Sequence, residues 1–99
     1  MPGWTFLTNH ALVLSVLAKN PRITGRELSE TVGITERATR KIIADLEAEG
    51  YITKRKEGRR IKYRINPDLP MRHETYDDTA IGDFLKALGW KKKQEKRKD

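Results

Sequence analysis

The feature that most constrains this chain is a set of helix start and stop signals packed closely together. Thr24, with Glu27 three residues on, has capping-box spacing and predicts a helix start. Leu28 and Val32 then fall one turn apart on one face. Gly33 follows, where a positive φ is cheap and a helix can end. Thr35 supplies the next cap, with Glu36 in the favourable first turn. Two short helices with a tight turn between them follow from these residues alone.

The second helix divides its faces. Ala38, Ile42 and Leu46 form an apolar side that runs on to Glu49, and Glu36, Arg37, Arg40, Lys41 and Ala44 lie opposite. Gly50 is placed to stop it. Two extended runs come next, and in the second Ile61, Tyr63 and Ile65 alternate with Arg60, Lys62 and Arg64. That alternation predicts a half-buried strand. Glu57-Gly58 provides the hairpin turn, and Lys54, Arg55, Lys56, Arg59, Arg60, Lys62 and Arg64 are opposed only by Glu57.

The segments GRELSETVGITERATRKIIADLEAEGYI and TKRKEGRRIKYRI together resemble the winged helix-turn-helix domain of MarR-type and ArsR-type transcription regulators. The resemblance covers roughly residues 9 to 66. It implies an α+β, mainly α fold, in which a three-helix core carries a basic β-hairpin wing and an added C-terminal helix. It also implies double-stranded DNA as partner. The helix of about residues 35–49 is expected to enter the major groove, and the 54–64 hairpin to meet flanking backbone and minor groove.

Within that resemblance, the residues expected at DNA are Thr35, Glu36, Arg37, Thr39, Arg40 and Lys41 on the helix, and Lys54, Lys56, Arg59, Arg60 and Lys62 on the wing. Arg37 and Arg40 have the fork that fits guanine O6 and N7, and Thr39 suits a thymine methyl or a phosphate. Thr35 is a cap or a phosphate donor, and the helix start itself favours a phosphate. The plainer reading of Glu36 is stabilisation of the helix terminus. A solvated helix face mixes its charges, whereas here Arg37, Arg40 and Lys41 gather in the N-terminal half and Asp45, Glu47 and Glu49 in the other. Arg59 is expected at the wing tip, where a narrow minor groove attracts arginine. MarR-type wings usually carry an Asp near that arginine, and Glu57 is only a loose match.

The chain has 99 residues, enough for one core but not for a DNA-binding domain plus a separate sensor. Its formal net charge of +7 favours a polyanionic partner. With no cysteine there is no disulfide, thiolate site or cysteine nucleophile, and the cysteine motif of ArsR-type metal sensors is absent. No cofactor or metal is expected, since the His73, Glu74, Asp77 and Asp78 group matches no closed site. No paired carboxylates, activated nucleophile or phosphate-cradling glycine loop suggests an enzyme. The apolar run from Ala11 to Ala18 is far short of the roughly 20 residues that span a bilayer, and it lacks the basic lead of a signal peptide. A cytoplasmic, nucleoid-associated location is expected.

Outside the motif, Thr8 predicts the cap of a helix over about residues 9–19 that is apolar nearly all round, so it needs cover on two sides. Trp4 and Phe6 suit an edge of the core or of an interface. Residues 1–66 form the expected DNA-binding domain, 67–78 a linker, 79–90 a C-terminal helix for dimerisation and 91–99 a disordered basic tail. Ile81, Phe84, Leu85 and Leu88 make one stripe on that last helix. Regulators of this type commonly dimerise through first and last helices. A homodimer is therefore expected, its interface drawn from Leu12, Val13, Val16, Ile81, Phe84, Leu85 and Leu88, with packing inside one chain as the competing arrangement. A winged-helix protein-interaction module and a non-specific architectural nucleic-acid-binding protein are the alternative functions.

Overall fold

Three helices, a hairpin and a fourth short helix follow one another along the chain: α1 (Asn9–Lys19), α2 (Gly25–Val32), α3 (Glu36–Ala48), β1 (Ile52–Glu57), β2 (Arg60–Ile65) and α4 (Ile81–Ala87). The structure is a computed structural model and describes residues 4–91. All but one residue of the 91–99 tail lies outside the described residues.

Local chemistry sets the first three helices. The Thr8 hydroxyl accepts from the Ala11 N–H at 3.1 Å, and α1 ends at Asn20, ahead of Pro21. At α2 both arms of the capping box are made: Glu27 N–H donates to the Thr24 hydroxyl, and Thr24 N–H to the Glu27 carboxylate, each at 3.1 Å. Each such cap is worth about 1 kcal/mol. Gly33 takes φ 86° and closes α2, which a side chain there would strain. Thr35 then caps α3 through Ala38 N–H at 3.0 Å.

The core lies where the three helices meet the base of the hairpin. Val13, Leu14 and Leu17 of α1, Leu28 of α2, Ile42, Ile43 and Leu46 of α3, and Ile52 and Tyr63 of the hairpin are all buried. Burying each such large apolar side chain contributes about 1.5–3 kcal/mol against the ordering entropy. The hairpin is antiparallel, with Ile52 opposite Ile65 and Glu57 opposite Arg60. Its turn holds Gly58 at φ 62°, a conformation that favours glycine. The connector between α1 and α2 joins the sheet through a backbone bond, Tyr63 N–H to Pro21 O at 2.8 Å.

Residues 67–78, expected as a linker, bond back to α4 and to Tyr51. Ile81 N–H donates to Leu69 O at 2.7 Å, Gly82 N–H to Pro67 O at 2.9 Å, and the Tyr51 hydroxyl to Pro70 O. This return lays α4 on the same core, where Ile81 and Leu85 are buried in the cluster that also holds Val13, Leu14 and Leu17 of α1. Within the chain α1 packs against α2, α3 and β2. Three residues expected at a dimer interface, Val13, Ile81 and Leu85, are consumed this way and are not available to a partner. The other four, Leu12, Val16, Phe84 and Leu88, remain half-exposed.

Candidate nucleic-acid interface

The buried stripe of α3 is Thr39, Ile42, Ile43 and Leu46. These positions follow i, i+3, i+4, i+7, so the helix faces the core along a line through Thr39. This corrects the expected role of Thr39. It is 0% exposed, and its hydroxyl donates to Thr35 O at 2.9 Å, so it meets no external partner. Ile43 was the sequence signal: it moves the centre of the apolar face from Ala38 to Thr39.

Opposite that stripe, Glu36, Arg37, Arg40 and Lys41 are exposed on the first two turns. Arg40 approaches Glu36 only to 4.0 Å, and both are largely solvated, so the pair restrains Arg40 weakly. Lys41 Nζ is 3.2 Å from Asp45 Oδ1, whose other oxygen lies 2.8 Å from His10 Nε2. His10 first and Lys41 second hold the Asp45 carboxyl below the usual range. Asp45 thus links α3 to α1 and draws Lys41 toward the helix body. Arg37, by contrast, has no carboxylate within 4 Å among the described residues. Thr35 is committed as the cap through its hydroxyl oxygen. Its O–H proton remains free to donate.

Strand register divides the wing cations between two faces. Lys54 and Lys56 share a face with Ile52, Tyr63 and Ile65, the side turned to the core. Lys54 there reaches Glu47 of α3 at 3.4 Å. Arg60 and Lys62 share the other face with Thr53, Arg55, Glu57 and Arg64. Arg59 stands in the turn beside Gly58 and is exposed. The expected wing contacts therefore do not form one surface; they wrap around the tip.

One residue of the site escaped sequence reasoning. Arg22 Nε donates to Glu57 Oε1 at 3.0 Å, across 35 residues of sequence, and no local pattern announces the contact. The hydrogen bond from Arg22 is the main reason the Glu57 carboxyl is held below the usual range, with Arg22, Lys62 and Arg55 adding electrostatic attraction. Together with the Tyr63–Pro21 bond it fixes the hairpin to the connector that leads into α2.

No helix of the described residues is long and apolar enough to cross a membrane. Residues 8–53 match the family of winged helix-turn-helix DNA-binding domains. No curated protein sequence matches the chain. Among solved structures, a predicted DNA-binding transcriptional regulator from E. coli is similar at 24% identity and TM-score 0.56, over 79% of this chain and 70% of that one. The zinc-dependent MarR-family regulator AdcR, in its Zn(II)-bound state, is similar at 26% identity and TM-score 0.50, over 67% of this chain. MepR, a transcription regulator of the Staphylococcus aureus multidrug efflux pump MepA, shares the fold at 11% identity and TM-score 0.57, over 82% of this chain. The alignment spans 47% of AdcR and 56% of MepR, so this chain matches about half of each. All three are described as transcription regulators. Over residues 8–53 the chain is similar to the winged helix-turn-helix DNA-binding domains, and its fold is the one seen in regulators of the MarR type.

Proposed function

We propose that this protein is a sequence-specific transcription regulator that binds double-stranded DNA as a homodimer. The observation that carries the reading is the N-terminal half of α3, where exposed Arg37, Arg40 and Lys41 stand opposite the buried stripe. In this reading those turns enter the major groove, with Arg37 and Arg40 on base edges. Lys41 and the Thr35 hydroxyl contact backbone, and Glu36 steadies the helix start. The wing follows the flanking duplex, Arg59 toward the minor groove and Lys56, Arg60 and Lys62 on phosphates. The half-exposed apolar residues Leu12, Val16, Phe84 and Leu88, with the exposed Trp4 and Phe6, support association of two copies.

Base contacts and phosphate contacts differ in how they discriminate. Arg40→Ala is expected to cost about 1–3 kcal/mol at the preferred sequence and little elsewhere. Lys56→Ala is expected to weaken all duplexes alike and to lower the salt slope by about one. Equilibrium binding to preferred and scrambled duplexes across a salt series tests this. Equal weakening of both duplexes by Arg40→Ala would remove its assignment to a base.

A further inference from the structure

Lys41 is the most firmly held cation on the exposed face of α3. Its Nζ lies 3.2 Å from Asp45 Oδ1, one turn along the same helix. The other Asp45 oxygen lies 2.8 Å from His10 Nε2, on α1. One carboxylate thus serves two donors, and one of them is charged only when it takes up a proton. A carboxylate only accepts, so the ring carries a hydrogen on Nε2 in both states, and the further proton goes to Nδ1. The contact keeps its geometry through the titration, and only its charge changes.

Histidine is the side chain whose charge ordinarily changes between about pH 5 and 8. His10 is half-exposed, so solvent protons reach it, and Asp45 is the only carboxylate within 4 Å of it among the described residues. The other charged groups around it are already paired. Arg72 and Asp83 share a cleft with His10, but Arg72 meets Glu49 at 2.9 Å and Asp83 approaches Lys86 at 4.0 Å. Tyr51 and Tyr76 line the same cleft, and tyrosine stays neutral across the histidine range. On α2, Arg26 pairs with Glu30, and Glu27 with its own cap. The β2 cations Lys62 and Arg64 share a cleft with Leu17 and Ala18, at the far end of α1.

We propose that His10 is a proton switch on DNA affinity, acting through Asp45 on Lys41. With His10 neutral, Lys41 alone neutralises Asp45 and is drawn to the helix body. With His10 protonated, the imidazolium takes over that charge and Lys41 is released to a phosphate. Affinity for duplex therefore rises as pH falls through the histidine range. Asp45 itself takes a proton only at lower pH, because His10 and Lys41 hold its carboxyl below the usual range. The switch rests on the reading of α3 as a DNA-contacting helix with Lys41 on the backbone.

The coupling is tested first without DNA. Nuclear magnetic resonance should show the Lys41 Cε–H signals moving with the His10 ring between about pH 8 and about pH 5.5. In His10→Gln they should stand still. Binding to a random-sequence duplex is then measured over the same range by fluorescence anisotropy at constant ionic strength. The parent protein is expected to tighten about two- to fivefold, the size of one exposed ion pair. His10→Gln should stay at the parent's high-pH affinity throughout. Asp45→Asn should be tight at both ends of the range, and Lys41→Gln weak at both. His73→Gln, which removes the other histidine, should respond as the parent does. Circular dichroism confirms that each variant is folded. A pH response that survives Lys41→Gln means that His10 acts by bare charge on the duplex, and overturns the proposal. Flat binding in the parent also overturns it, while intact affinity leaves the α3 reading standing. No binding at any pH overturns the α3 reading and the switch together.

Discussion

Arg22 Nε, in the connector ahead of α2, donates to Glu57 Oε1 at the end of β1 at 3.0 Å, and so ties the wing to the helical body. A lone acid among seven hairpin cations opposes DNA binding by charge alone. Its position explains why it is useful there. Glu57→Gln is expected to tighten binding to scrambled duplex, because a negative charge is removed, and to weaken binding to the preferred sequence, because the wing loses its anchor. Arg22→Gln should weaken the preferred duplex as well. Fluorescence anisotropy on both duplexes distinguishes the signs. If Glu57→Gln tightens both by the same factor, the anchoring role is refuted.

Thr39 separates burial from residue type. Thr39→Val keeps the shape and removes only the hydroxyl that donates to Thr35 O. Stability is expected to fall by about 1 kcal/mol or less, with DNA affinity held within about twofold, an energy change well below that of a base contact. A loss of affinity like that of Arg40→Ala would mean that Thr39 reaches DNA after all.

Acid should unfold the protein through identifiable carboxylates. Glu27 is held low chiefly by the Thr24 backbone N–H, Asp45 by His10 and Glu57 by Arg22. A carboxyl depressed in the folded state stabilises it above the ordinary carboxylate range, and that stability is lost as pH falls through the lowered value. Tm is therefore expected to drop below about pH 4. Glu27→Gln, Asp45→Asn and Glu57→Gln combined should flatten this acid limb, although all three sites are well solvated and each contribution is small. An unchanged slope in a thermal-melt series from pH 3 to 7 would show that other groups set it.

Gly82 packs α4 against the return segment. A Cβ there would lie 2.7 Å from Pro67 Cβ and 3.0 Å from Pro67 O. Neither atom belongs to a flexible side-chain end, so the helix must shift. Gly82→Ala is expected to destabilise by about 1–3 kcal/mol, the cost of overpacking. Hydrogen exchange should show faster opening at Ile81 and Leu85. Protection equal to the parent protein would mean that α4 is held by other contacts.

The sequence made the helical core legible because its boundaries rest on local chemistry. Thr8, the Thr24–Glu27 box, Gly33 and Thr35 act within a turn of themselves, and each is found in its expected role. The interior face of α3 was less legible. A threonine at the centre of an apolar stripe was read by its polarity, while Ile43, one residue beyond Ile42, set the true direction. The α4 stripe was visible, but not whether one chain or two would bury it. That depended on residues 67–80, whose backbone bonds to α4 follow no periodic pattern. Arg22–Glu57 depended on tertiary geometry alone.

The most direct test of the central claim is selection from a randomised duplex pool at near-physiological salt, with sequencing of the retained DNA. The account predicts enrichment of a two-fold symmetric motif whose half-sites lie about 34–36 Å apart, one helical turn, with loss of that motif in Arg40→Ala. Retention of DNA with no enriched sequence, or no retention at all, would contradict it.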